Sequence, residues 1–220
     1  MYQAIFLSIL VIISKSVDAQ DTSVTDSLIY EMCQTLSDTV EHDMETKLNS
    51  LFSKHLGSFF ELHDISNEDS LINAIDVRLQ VLCPLYATYL HNTVESKGDW
   101  EISQTSTPTE ISIAEEQVFY NQKHYYYLEA SGDTTTVTID NGLWIDKFTN
   151  GTYSKLNLKK DTHSKFTIEF IESNNEIRQS MSIPGDKYRY TIIRKEAKSY
   201  FMTVEIPGNE NIYSFKLYYE

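Results

Sequence analysis

The side chains that most often carry chemistry are scattered along this 220-residue chain. Its six histidines include no pair at the four-residue spacing of a His-Glu-x-x-His zinc motif. No Gly-x-Ser-x-Gly elbow marks a nucleophilic serine, and neither cysteine has a neighbouring histidine or basic cluster to lower its pKa. With seven glycines and no glycine-rich loop, a phosphate or dinucleotide site is not indicated either. The sequence therefore predicts no catalytic residue, no metal and no cofactor.

Aromatic side chains are the strongest candidates for binding. Residues 125–127 are successive tyrosines, which places rings on both faces of one predicted strand. Rigid rings offer contact area to sugars, peptides or apolar ligands at low entropic cost. The predicted ligand-binding residues are Trp100, Tyr125, Tyr127 and Trp144. The alternative is that these rings pair across strands inside a core.

Helical periodicity governs the first part of the chain. Apolar residues recur at intervals of three and four within residues 24–57 and 66–90. A break is predicted at residues 41–43, and Pro84 predicts a kink or a split in the second stretch. Residues 21–97 are therefore predicted to form a helical hairpin module.

Strand periodicity begins after Gly98. Apolar and aromatic residues alternate with period two in four late segments, residues 165–171, 187–193, 199–206 and 212–219. Earlier strand signals cover residues 100–105, 118–120, 124–130, 134–139, 143–148 and 152–158. Asn141-Gly142 is a strong signal for a tight hairpin. The predicted fold class is α+β, in which residues 98–220 form an antiparallel β-meander closed as a barrel or a sandwich.

The N-terminus carries a targeting signal. The apolar run at residues 4–13, followed by Val17-Asp18-Ala19, is typical of a signal peptide covering residues 1–19. The run is shorter than the ~20 residues that cross a bilayer. A buried N-terminal helix or strand is the alternative. The predicted location is secreted or periplasmic, without stable membrane insertion of the mature chain.

Charge excludes one class of partner. The chain has 32 acidic and 18 basic residues, a net charge of −14 at pH 7. Nucleic acids and anionic lipids are recognised largely by Lys and Arg that neutralise phosphates. No nucleic-acid partner is therefore expected.

The two cysteines suit an oxidising compartment. A Cys33–Cys83 disulfide would close a loop of about fifty residues and stabilise the fold by ~4 kcal/mol. It requires Cα atoms within ~7 Å, which sequence alone does not show. Two separate buried thiols are the alternative.

Two stretches resemble known proteins. Tyr30-Glu-Met-Cys33 followed by Val81-Leu-Cys83-Pro84 resembles a group of small secreted Bacteroidota proteins, whose function is uncharacterised. Gly98-Asp99-Trp100, at the head of the meander, is similar to the Gly-x-Trp that opens lipocalins and lipocalin-like barrels. The second resemblance implies a cup for an apolar ligand, floored by Trp100.

The expected function is non-catalytic binding of a small apolar ligand or a partner through the β module. A cavity lined by Trp144, Tyr190 and Phe215 would favour a ligand, since closed barrels of about eight strands enclose one small molecule. The first alternative is an interaction or surface-assembly protein that pairs through an edge strand. The second is a hydrolase, which a cleft gathering His124 or His163 with carboxylates would indicate.

Overall fold

The protein is α+β, as predicted. The computed structural model describes residues 18–38, 44–63 and 68–219, so most of the predicted leader and the predicted break at 41–43 lie outside it. The helices are α1 (Asp18–Asp38), α2 (Met44–His63), α3 (Glu68–Leu82), α4 (Pro84–Thr93), α5 (Ile113–Asn121) and α6 (Glu176–Met181). The strands are β1 (Glu101–Ser103), β2 (His124–Leu128), β3 (Thr134–Asp140), β4 (Leu143–Lys147), β5 (Tyr153–Thr162), β6 (Lys165–Ser173), β7 (Lys187–Lys195), β8 (Ser199–Glu205) and β9 (Ile212–Tyr218).

The strands close into an eight-stranded antiparallel barrel, which decides between barrel and sandwich. Strands β2 to β9 pair in chain order, and β9 pairs both with β8 and with β2. The short strand β1 pairs with the first three residues of β9, and Ile102 lies opposite Tyr213. Alternate residues point into the barrel, so the inward set forms one core.

The Asn141-Gly142 hairpin forms as predicted. Strand β3 ends at Asp140 and β4 begins at Leu143, which leaves two residues in the turn. Asn141 and Gly142 have φ values of 51° and 76°. Positive φ at both positions matches the right-handed twist of the flanking strands, and asparagine and glycine tolerate it best.

A helix closes one end of the barrel, and its position corrects a prediction. Residues 118–120 were predicted as a strand, whereas they belong to α5. The Ser112 side chain accepts the backbone N–H of Glu115, whose carboxylate accepts the Ser112 N–H in return, so the helix begins with a capping box. Phe119 is fully buried against Phe166.

Helices α3 and α4 cover the opposite end, and α1 packs on both of them with α2 against α1. Helix α3 ends at Leu82 and α4 begins at Pro84, so the proline splits the second helical stretch as predicted. Asn209 and Asn211, in the β8–β9 turn, donate to the carbonyls of Val81 and Pro84 at 2.7 and 3.0 Å. Within the described ranges, no helix is long and apolar enough to span a membrane.

A disulfide joins Cys33 and Cys83, which confirms the predicted bridge. The two Cα atoms are 5.4 Å apart and fifty residues apart in sequence. The bond ties the middle of α1 to the α3–α4 junction, where Cys83 is fully buried. Such a bond fits a protein of an oxidising, extracytoplasmic compartment.

Removing this bond should lower stability. The double variant Cys33→Ser, Cys83→Ala is expected to lose about 2–4 kcal/mol of unfolding free energy, because the unfolded chain regains the entropy of a long loop. Urea unfolding in oxidising buffer measures the loss. A reducing agent should destabilise the wild type by a similar amount and leave the variant unchanged. A variant as stable as the oxidised wild type would contradict this role.

Candidate ligand-binding cavity

The barrel encloses a cavity of about 650 Å³ beneath helices α3 and α4. This volume lies within the roughly 300–1,000 Å³ range of small-molecule sites. Exposed residues Val94, Glu95 and Ser131 are part of its lining, so the cavity reaches the surface beside the α4–β1 segment and the β2–β3 turn. Nine aromatic residues are part of the lining: Tyr86, Trp100, Tyr127, Trp144, Phe170, Tyr188, Tyr190, Tyr213 and Phe215.

Three of the four predicted binding residues line this cavity: Trp100, Tyr127 and Trp144. Tyr125 does not. It is buried near the closed end, and its hydroxyl donates to the Phe119 carbonyl at 2.6 Å. Tyr125 and Tyr127 share the inward face of β2, but α5 fills the barrel at the level of Tyr125.

Trp100 belongs to the cavity wall and is not its floor. Its indole N–H donates to the Leu128 carbonyl at 2.7 Å, at the end of β2 nearest the covering helices. The closed end lies at the opposite ends of the strands, where α5 packs. The expectation that Trp100 would floor a cup is therefore wrong for this barrel, because the α5 helix occupies that position.

The aromatic rings hold one another in place. Trp100 stacks on Phe215 with centroids 4.4 Å apart and meets Tyr127 edge to face at 5.9 Å. Tyr190 lies 5.7 Å from Trp144 and 6.0 Å from Phe215. Rings fixed in this way lose little entropy when a ligand binds, so the wall is preorganised.

One carboxylate stands among these rings. Asp146 lies two residues after Trp144 on the inward face of β4 and is 9% exposed. Its Oδ1 accepts the Trp144 indole N–H at 2.8 Å. Within the described part of the chain, Asp146 forms no salt bridge. A buried carboxylate with a single neutral donor is costly.

The cavity also holds an ion pair. Arg178, on α6, donates to Glu129 at 2.5 Å, and Glu129 also accepts the Thr135 hydroxyl at 2.6 Å. Arg178 further contacts the Met181 sulfur at 3.2 Å. Glu129 therefore neutralises the Arg178 charge at short range, whereas Asp146 has no such partner.

Burial sets the protonation states in this cavity. Burial raises the pKa of Asp146 to about 7, with a further upward push from Glu129, while the Trp144 bond and the Arg178 charge oppose the shift. Burial and the Asp146 charge raise the pKa of Tyr127 and of Tyr190. Both phenols are therefore neutral near pH 7, and neither hydroxyl has a hydrogen-bond partner among the described residues.

Sequence reasoning missed Asp146, Glu129 and Arg178. The sequence did contain a signal for Asp146. It lies two residues after Trp144 in one strand, so both side chains share a face, and an acidic residue on a core-facing position is unusual. Arg178 gave no such signal. No helix was predicted between the strands at residues 165–171 and 187–193, and the position of Arg178 against Glu129 depends on the pairing of distant strands.

His163, one of the two histidines considered for a hydrolase, pairs with a carboxylate away from the cavity. His163 Nδ1 lies 2.8 Å from Glu116 Oε2, and its Nε2 lies 3.0 Å from the Ile111 carbonyl. Glu116 also accepts the Ser164 N–H and the Lys160 ammonium. Both ring nitrogens therefore hold α5 against the β5–β6 turn, and no hydrolytic arrangement is formed by this pair.

No protein-family model matches the chain, and no curated protein matches its sequence. Within residues 18–38, 44–63 and 68–219, no cluster of three or more His, Cys, Asp or Glu side chains is arranged to hold a metal ion.

Proposed function

We propose that this is a secreted or periplasmic, non-catalytic protein that binds one small, largely apolar ligand inside its barrel. The observation that carries the proposal is the cavity of about 650 Å³ lined by Trp100, Tyr127, Trp144, Tyr190 and Phe215. An apolar, mostly preformed cavity with a few convergent polar groups is the usual form of a small-molecule site.

Secretion is supported by two independent features. The apolar run at residues 4–13 is of signal-peptide length, and the Cys33–Cys83 bond requires an oxidising compartment to persist. A lipocalin-like relation belongs to the same proposal. An eight-stranded antiparallel barrel preceded by Gly98-x-Trp100 supports it.

The geometry favours a cavity ligand over pairing through an edge strand. Each of the eight barrel strands has a partner on both sides, with β2 and β9 joined through Tyr126 and Tyr218, so the barrel leaves little free edge. The remaining strand, β1, is three residues long. Short strands are among the devices that prevent edge-to-edge association.

A larger side chain inside the cavity should weaken ligand binding. Leu156 is buried on the inward face of β5, opposite Trp144. Leu156→Trp is expected to weaken binding of the neutral dye N-phenyl-1-naphthylamine by about tenfold or more, because the larger side chain occupies ligand space. Fluorescence titration measures the affinity, and urea unfolding verifies that the variant is folded.

Asn157→Trp is the matched control. Asn157 is the next residue on the same strand, exposed on the outer face. It should keep wild-type affinity for the dye. Absence of dye binding to the wild-type protein, or equal loss in both variants, would overturn the proposed cavity site.

A further inference from the structure

We infer that the ligand is an organic amine, an aromatic or apolar body carrying one protonated nitrogen, and that Asp146 is its counter-ion. The inference rests on the proposed function and specifies its ligand class. Its basis is the Asp146 carboxylate in the cavity, which forms no salt bridge with any described residue. The ionisable side chains that line the cavity are Asp76, His91, Glu95, Glu129, Asp146 and Arg178, apart from tyrosines.

The acidic lining residues are not equivalent. Asp76 accepts the Tyr86 hydroxyl and the Gln80 amide, and Glu129 is held by Arg178. Asp146 has only the Trp144 N–H, at 2.8 Å. A buried carboxylate without a cation is offset most directly by an ammonium that enters with the ligand.

The surroundings of Asp146 suit a cation. Tyr190 and Trp144 are neighbouring rings, and the faces of tyrosine and tryptophan attract ammonium groups. The hydroxyls of Tyr127 and Tyr190 are neutral and have no partner among the described residues, so their oxygens are available to accept N–H bonds. Carboxylate, phenol oxygens and ring faces together provide the contacts of a desolvated ammonium group.

An anionic ligand fits the same cavity poorly. Arg178 is the single Lys or Arg in the lining, and the Glu129 carboxylate already lies 2.5 Å from its guanidinium. A ligand carboxylate would have to displace Glu129 and approach Asp146. The exposed Glu95 at the mouth and the net charge of −14 attract cations to the entrance and repel anions.

Binding of an amine should depend on pH through Asp146. The groups that face it are Trp144 on its own strand, Tyr127 on β2, Tyr190 on β7, Arg178 on α6 and Glu129 after β2. Because the pKa of Asp146 is about 7, its anionic form falls about tenfold between pH 8 and pH 6. Amine affinity should fall by a similar factor over that range.

Three probes of similar shape test the inference: 2-phenylethylamine, neutral 2-phenylethanol and anionic 3-phenylpropanoate. Calorimetric titration of the wild type at pH 8 should show the amine binding roughly 10- to 100-fold more tightly than the alcohol, and the carboxylate most weakly. In Asp146→Asn, which keeps an oxygen for the Trp144 N–H, the amine should lose this advantage and its pH dependence. Asp161→Asn removes an exposed charge from β5, outside the cavity lining, and should behave as wild type.

The outcomes separate this inference from the proposed function. If the neutral dye binds but the amine has no advantage over the alcohol, the cavity binds ligands and the amine inference is wrong. Tighter binding of the carboxylate would identify Arg178 as the anchor and overturn the inference as well. If Asp161→Asn weakens the amine as much as Asp146→Asn does, the preference reflects overall charge and not a counter-ion. If neither dye nor amine binds, both proposals fail.

Discussion

At pH 8, asparagine in place of Asp146 is expected to raise the free energy of unfolding by about 4 kcal/mol. Burial raises the pKa of this carboxyl from 3.8 to about 7. At a pH between these two pKa values, the Asp146 carboxyl holds a proton in the folded protein and has released it in the unfolded chain. The free energy of unfolding therefore falls as the pH rises from about 4 to about 7. Asparagine stays neutral throughout, and its side-chain oxygen still accepts the Trp144 N–H.

Urea unfolding of both proteins at pH 4, 6 and 8 measures the effect. Other carboxylates titrate in wild type and variant alike, so the difference between the two isolates Asp146. That difference should be below about 1 kcal/mol at pH 4 and grow by roughly 1.4 kcal/mol per pH unit at its steepest. A difference that does not change with pH, or a variant less stable than wild type at pH 8, would contradict this assignment.

Arg78→Ala is expected to destabilise the protein by about 3–5 kcal/mol. Arg78, on α3, is 4% exposed. It binds Asp26 on α1 through two bonds of 2.9 Å, and it binds Asp186 before β7 at 2.5 Å. Its Nη1 also donates to the Met181 carbonyl at 2.7 Å. The alanine variant would remove the cation that pairs with both carboxylates and the donor to that carbonyl, and Asp186 would keep only the Ile183 N–H.

The loss should appear where the helices meet the barrel. Hydrogen exchange is expected to rise in α1 and α3 more than in β4 and β5, because Arg78 joins the helices to the β6–β7 connection. Arg189→Ala, at an exposed position on β7, should change stability by no more than about 0.5 kcal/mol. An Arg78→Ala loss as small as that of the Arg189 control would show that docking of the helices does not depend on this residue.

The cavity site joins elements that local sequence does not connect. Trp144 and Asp146 come from β4, Tyr127 from β2, Tyr190 from β7 and Arg178 from α6. The sequence named Trp100, Tyr125, Tyr127 and Trp144 as binding residues, and three of these four line the cavity. It did not distinguish Tyr127 from Tyr125, because both face inward and only the depth of α5 in the barrel separates them.

Local signals account for most of what sequence predicted well. Alternation with period two identified β6 to β9, since one face of each strand lies against the core. Asn141-Gly142 specified its hairpin through backbone conformations that few other residues adopt readily. Pro84 split α3 from α4 because its ring cannot continue a helix. The strand predicted at residues 118–120 was wrong because three apolar or aromatic residues in a row do not distinguish a short buried helix from a strand.

By itself, the sequence determined that helices precede an antiparallel meander, that the chain is acidic, and that the late strands alternate apolar and polar faces. Only the tertiary structure decided that β9 closes on β2, that α5 fills one end and α3 and α4 cover the other. It also decided that Asp146 lies in the remaining cavity, with Arg178 bound by Glu129. The physical reason is that periodicity and turn chemistry act over a few residues. Which charged side chains meet, and which one is left unpaired, depends on strand pairings across the whole barrel.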